Sequence, residues 1–207
     1  MFGISDFPLF VGAVMLLNVT PGPDMAYVAG QSIAHGRRAG ILSALGVSVG
    51  GSVHTLACAL GLSALIAASP AAFTLIKWVG AIYLVYLGLQ MVRRNDATSA
   101  VSSALRPSGS FVVRGIVSNV TNPKVLLFYI AFLPQFVNPD SHQKTAALLI
   151  LGATLVALGF LTDCIIVYGT ARASGLIRKR TAAAKWLNRI VGTGFIGLGF
   201  RLATSTR

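Results

Sequence analysis

The chain has 207 residues, 55% of them hydrophobic and only 11% charged, with a formal net charge of +12. A soluble domain usually carries about 25% charged residues, and a mean hydropathy of +0.75 excludes that class here. The positive charge does not indicate a nucleic-acid face, because the basic residues fall in short segments between apolar runs.

Six apolar stretches reach about the 20 residues that a bilayer crossing needs. They are residues 7–29, 41–68, 71–92, 111–133, 146–169 and 184–203. The connections between them are Gln31–Gly40, the Ser69-Pro70 corner, Arg93–Ser110, Pro134–Thr145 and Thr170–Ala183. No separate soluble domain fits, and residues 1–6, with Asp6 and no Lys or Arg, do not suggest a signal peptide. Twelve of the 17 Lys and Arg residues belong to or flank the first, third and fifth connections. Basic loops stay in the cytoplasm, so both termini are expected on the periplasmic side. Cys58 and Cys164 fall within spans, and no disulfide framework is indicated.

The first stretch is interrupted by Asn18-Val19-Thr20-Pro21, and Asn119-Val120-Thr121 repeats the motif 101 residues later, followed by Asn122-Pro123. Proline removes a backbone donor and clashes with the preceding turn, so helices 1 and 4 are each expected to break. Unpaired backbone groups in hydrocarbon cost several kcal/mol each by order of magnitude, unless something binds them. Phe10-Val11 and Phe111-Val112 keep the same offset, and Lys77-Trp78 and Lys185-Trp186 open the third and sixth stretches. The expected fold is therefore all-α and membrane-integral. Six transmembrane helices form two three-helix repeats, about 1–92 and 111–207, in one transporter domain. Three spans per repeat is odd, so the second repeat sits inverted, with a site near the midplane. Glycines in the second and sixth spans, such as Gly46 and Gly50, allow close helix approach or supply hinges.

Two of the five acidic residues, Asp24 and Asp163, lie inside spans, where an ionisable group points to function. With these boundaries both fall roughly 25 Å from the outer edge of a core about 30 Å thick. Asp24 either caps a restarted helix or faces a substrate ammonium. Asp163 either makes a helix–helix hydrogen bond or carries a proton. Lys124 follows the second break, where it finds an anionic partner or snorkels to the interface. Asn18, Thr20, Asn119 and Asn122 cap their own broken helices or hold a zwitterion. His54 and Cys58 are one turn apart on the second span, a pair too small for a metal site, so His54 is a candidate pore-lining residue. Phosphate loops, nucleophile elbows and metalloprotease helices are absent from the sequence, and no enzyme activity or cofactor is expected.

Asn18-Val19-Thr20-Pro21-Gly22-Pro23-Asp24 and Asn119-Val120-Thr121-Asn122-Pro123-Lys124 resemble signatures of the LysE/RhtB family of amino acid exporters. Phe132-Leu133-Pro134-Gln135-Phe136-Val137, the Gly-rich second span with His54, Tyr83-Leu84, Gly88 and Asp163 extend the likeness along the whole chain. The resemblance implies export of amino acids or close derivatives from the bacterial cytoplasm across the inner membrane, driven by ion exchange. The sequence reading is a secondary exporter of a neutral amino acid, threonine/homoserine-like or similar, working by proton antiport. Export of basic amino acids or of a metal cation is the alternative within the same superfamily, and a non-transporting scaffold the alternative outside it. Asn18, Thr20, Pro21, Asp24, Asn119, Asn122, Pro123 and Lys124 are the candidate substrate residues. Asp163 and Asp24 are the candidates for ion coupling, and His54 and Tyr83 for lining the pore. The expected partners are the substrate, protons and lipid, with homodimerisation left open.

Overall fold

The computed structural model describes residues 3–62, 110–138 and 140–172, with scattered positions between 74 and 92 and between 189 and 204. Helix α1 spans Phe7–Val19, and α2 spans Pro23–Ala57 and runs on into a π-helical turn, Cys58–Leu62. Helix α3 spans Phe111–Val120, and α4 spans Pro123–Ala131 with a 3-10 turn at Leu133–Phe136. Helix α5 spans Lys144–Arg172. Among the described residues the only β pairing is an isolated bridge between Ile4 and Val137.

Lys144–Thr170 is long and apolar enough to cross a membrane, and so is the Pro23–Gly61 run taken as a whole, although it is interrupted at Gly36. Phe111–Val120 and Pro123–Phe136, bent by 54° at their junction, make a third span if taken together. Leu45, Val49, Val53, Leu56 and Leu60 recur every three or four residues and are all exposed. A continuous exposed apolar stripe of this kind is stable against lipid rather than water. The protein is a helical membrane protein. The third and sixth predicted spans fall largely outside the described residues, together with Tyr83, Leu84, Gly88, Lys77, Lys185 and Trp186.

The Gln31–Gly40 connection expected from sequence is instead helical on both sides of one residue. Gly36 has φ 82° and ψ 177°, a conformation open essentially to glycine alone. The chain folds back there. A Cβ on Gly40 would lie 2.8 Å from the Ser32 Cβ, whereas residues eight apart in a straight helix are about 12 Å apart. Residues 23–35 and 37–57 are thus two helices joined by a one-residue turn. Gln31 and Ser32, expected in a loop, are buried.

Both predicted breaks are present. The Thr20 hydroxyl donates to the Leu16 carbonyl at 2.6 Å and the Thr121 hydroxyl to the Val117 carbonyl at 2.7 Å. Each threonine thereby closes the end of its own helix on a carbonyl four residues back. Pro23 and Pro123 take the first positions of α2 and α4, where a missing N–H costs nothing. Asn122 caps α4 by accepting from the Lys124 backbone N–H at 3.1 Å.

The helix of residues 37–57 crosses α3 at glycines. A Cβ on Gly115 would meet the Ser43 carbonyl at 2.6 Å, and one on Gly46 would collide with the Val112 carbonyl. Phe10, Phe132 and Phe136 pack together below α1, with Phe10 and Phe136 edge to face at 5.2 Å. The Phe132–Val137 segment is therefore largely core, where the sequence suggested that Pro134 opens a loop.

Candidate functional site

The two breaks meet in space and exchange partners. The Asp24 carboxylate, in the first turn of α2, accepts from the Ser118 hydroxyl at 2.7 Å. It also accepts from the side-chain amides of Asn119 at 2.8 Å and Asn122 at 3.0 Å. Asp24 is not a cap of its own helix; its partners all stand at the second break. Lys124, conversely, donates from Nζ to the carbonyls of Leu17 at 2.9 Å and Thr20 at 3.0 Å. The Thr20 carbonyl is freed where α1 ends, and the Leu17 carbonyl there also accepts the Thr20 N–H at 3.2 Å; this end of a helix favours a cation. No carboxylate lies within ion-pair distance of Lys124 among the described residues. Gly22 packs beside the ammonium, where a Cβ would stand in ordinary contact with Nζ at 3.4 Å.

Between these groups lies a cavity of about 80 Å³, lined by Asn18, Thr20, Asp24, Asn119, Asn122, Lys124 and Asp163. Six of the eight predicted substrate residues and both ion-coupling candidates are brought to it. Pro21 and Pro123 shape the breaks but do not line the cavity; both are exposed. Asp163 is 8% exposed and makes no hydrogen bond or ion pair among the described residues. Three buried polar atoms of lining residues also lack partners: Asn18 Nδ2, Ser48 Oγ and Asn119 Oδ1. Buried polar groups are normally satisfied, so a cavity with an unpaired amide donor, an amide acceptor and a hydroxyl is suited to a polar solute. Leu17, Met25, Val47, Leu155, Val156 and Phe160 complete the lining with apolar surface.

Glycine sets the position of Asn119. A Cβ on Gly50 would stand 2.7 Å from the Asn119 Cβ and 3.0 Å from its Oδ1, so only glycine lets α3 bring this side chain so close. His54 lies just outside the cavity lining, with Nε2 3.3 Å from the Asn119 carbonyl and its ring 5.4 Å from that of Tyr129. Cys58 donates to the Tyr129 carbonyl at 3.5 Å. Both side chains thus lie against Tyr129, and among the described residues no three His, Cys, Asp or Glu side chains converge. Tyr83, the other candidate pore residue, lies outside the described residues. Ser48 and Phe160 were not singled out from the sequence. A serine in a glycine-rich helix reads as packing, and only its unpaired hydroxyl in the folded chain marks it.

The profile of the LysE type translocator family matches residues 15–206. The chain is 31% identical to the leucine efflux protein of Enterobacter sp. strain 638 over 208 residues, covering 98% of this chain and 97% of that one. It is 32% identical, with the same coverage, to the leucine efflux protein of Klebsiella pneumoniae. It is 27% identical to that of Salmonella typhimurium, covering 98% of this chain and 97% of that one. No solved structure matches. With a family match over nearly its full length and two helix breaks that enclose a polar cavity in an apolar helical protein, the chain belongs to the LysE type translocator family.

Proposed function

We propose that the protein is an inner-membrane exporter of a neutral amino acid, and that the cavity between Asp24 and Lys124 holds the substrate as a zwitterion. The observation that carries this reading is the placement of one cation and two carboxyl groups around one small cavity. Opposite charges at two ends of a cavity match a zwitterion, and its apolar lining suits an uncharged side chain. The relatives named for leucine efflux support the same substrate class. Without substrate, the Leu17 and Thr20 carbonyls stand in for a substrate carboxylate at Lys124. Likewise the Ser118, Asn119 and Asn122 donors stand in for an ammonium at Asp24. Binding then exchanges internal bonds for substrate bonds, which links occupancy to the geometry of both breaks.

Asp163 is the proton carrier in this reading. It lines the same cavity, it is buried, and it has no fixed partner to hold it in one protonation state. The membrane architecture that goes with it is six spans in two inverted repeats, the repeats covering about 1–92 and 111–207, with both termini periplasmic. The test is efflux from vesicles loaded with radiolabelled leucine, with and without an imposed proton gradient. Efflux that rises with an inwardly directed proton gradient supports the reading. Leucine retained under every gradient, or driven only by an ion other than the proton, contradicts it.

A further inference from the structure

The helix of residues 37–57 carries four hydroxyl side chains, Ser43, Ser48, Ser52 and Thr55. Three of them close on their own backbone. Ser43 donates to the Ala39 carbonyl at 2.8 Å, Ser52 to the Ser48 carbonyl at 3.0 Å and Thr55 to the Gly51 carbonyl at 2.9 Å. A carbonyl four residues back is the ordinary partner for a hydroxyl inside a helix. Ser48 does not take it: its Oγ is buried and has no hydrogen-bond partner. Buried hydroxyls are normally satisfied, so one withheld from its own helix in the wall of a polar cavity is free to serve a ligand.

A second unpaired atom belongs to the same wall. The Asn119 amide nitrogen donates to Asp24 at 2.8 Å, which turns Oδ1 away from that carboxylate. Oδ1 is buried without a partner and lies against the helix of residues 37–57, where a Cβ on Gly50 or Gly51 would stand 3.0 or 4.0 Å from it. Gly46 packs on Val112 and Gly50 on Asn119, so Ser48, between those crossings, lies at the level of the C-terminal half of α3. That half supplies Ser118 and Asn119, two of the groups bonded to Asp24. The hydroxyl thus belongs to the Asp24 end of the cavity.

An ammonium group carries three N–H donors and no acceptor. Resting on the proposed amino acid site, we infer that Ser48 is a further substrate-binding residue. One ammonium donor bonds Asp24, and Ser48 Oγ and Asn119 Oδ1 take the other two. The site therefore selects a primary ammonium, because each N-alkyl group removes one of these bonds.

Equilibrium binding to the purified parent and to Ser48→Ala tests this with three ligands. Leucine has the whole head, leucinamide keeps the ammonium without the carboxylate, and N,N-dimethylleucine keeps the charge with a single N–H. Ser48→Ala should weaken leucine and leucinamide by about tenfold to a hundredfold, the worth of one hydrogen bond to a charged group. It should leave N,N-dimethylleucine unchanged. Its unfolding temperature without ligand should equal or exceed the parent's, because the lost hydroxyl makes no bond in the fold and alanine favours a helix. Unchanged leucine affinity overturns the inference. So does an equal loss for leucine and N,N-dimethylleucine, a loss that spares leucinamide, or a lower unfolding temperature, which would make the hydroxyl structural. A parent chain that binds none of the three refutes the amino acid reading itself, a distinct failure.

Discussion

Lys124 donates from Nζ to the carbonyl of Thr20 at 3.0 Å, across 104 residues of sequence. The cation at the second break closes the carbonyl end of the first, while Asp24 from the first break collects the donors of the second. Two interruptions that would each be costly in hydrocarbon become one bonded unit.

Lys124→Met removes two charge-assisted bonds and leaves the Thr20 carbonyl short of a donor, while the Leu17 carbonyl keeps the Thr20 N–H. The expected loss is about 1–3 kcal/mol of stability, read as a lower unfolding temperature in detergent. Export should fall for every amino acid substrate by about the same factor, since each loses the same carboxylate contact. Growth under an inhibitory panel of amino acids measures this. Full protection across the panel removes the carboxylate role, and a defect confined to one substrate moves Lys124 into the side-chain pocket.

Asp24→Asn keeps the volume but turns an acceptor of three bonds into a mixed donor and acceptor facing Ser118, Asn119 and Asn122. With its amide oxygen kept toward Asn119 and Asn122 and its nitrogen toward the Ser118 hydroxyl, which can accept, the variant retains the bonds but loses their charge assistance, so a stability loss of about 1 kcal/mol accompanies loss of uphill efflux. Asp163→Asn has no such network to disturb. It should fold like the parent and lose uphill efflux while still exchanging internal for external labelled substrate. Normal uphill transport by Asp163→Asn at neutral pH would remove it from proton coupling.

Gly36→Ala isolates a backbone effect. Nothing lies within 4 Å of a Cβ there, so the cost is the strain of φ 82° alone, about 1–3 kcal/mol. Gly12→Ala, inside α1, meets equally open space without a positive φ and should stabilise by up to about 1 kcal/mol. Thermal unfolding of both variants checks the pair, and equal behaviour would contradict a one-residue helical turn at Gly36.

The sites of chain breakage were legible because proline and asparagine inside an apolar run leave few structural alternatives. Asp24, Asp163 and Lys124 were legible for the same reason, since charge in hydrocarbon is rarely incidental. The cross-exchange was not, because each motif reads as a cap for its own helix until α3 is brought against α1 and α2. Residues 31–40 read as a loop from their Arg37-Arg38 pair and glycines, yet a single positive-φ glycine makes the whole reversal. Ser48 was invisible for a different reason: small residues serve close packing so often that only its buried, unpaired hydroxyl distinguishes this one.

Topology follows from the charge distribution, with one adjustment from the fold. In the first connection Gln31 is buried in a helix while Gly36 is exposed at the turn, so Gly36 is the place for a reporter there. Fusions after Gly36, Asp96 and Ser174 should report cytoplasmic, and those after Ser69 and Asp140 periplasmic. The opposite pattern would invert the direction in which the cavity is loaded.

The most direct measurement is equilibrium binding of leucine, leucinamide and 4-methylpentanoate to the purified protein, in the parent, Lys124→Met and Asp24→Asn. Leucinamide lacks the carboxylate and 4-methylpentanoate lacks the ammonium. The parent should prefer leucine to each by about tenfold to a hundredfold, the scale of one hydrogen bond to a charged group. Lys124→Met should erase the preference over leucinamide alone, and Asp24→Asn the preference over 4-methylpentanoate alone. Variants that keep both preferences intact would contradict a zwitterion held between Asp24 and Lys124.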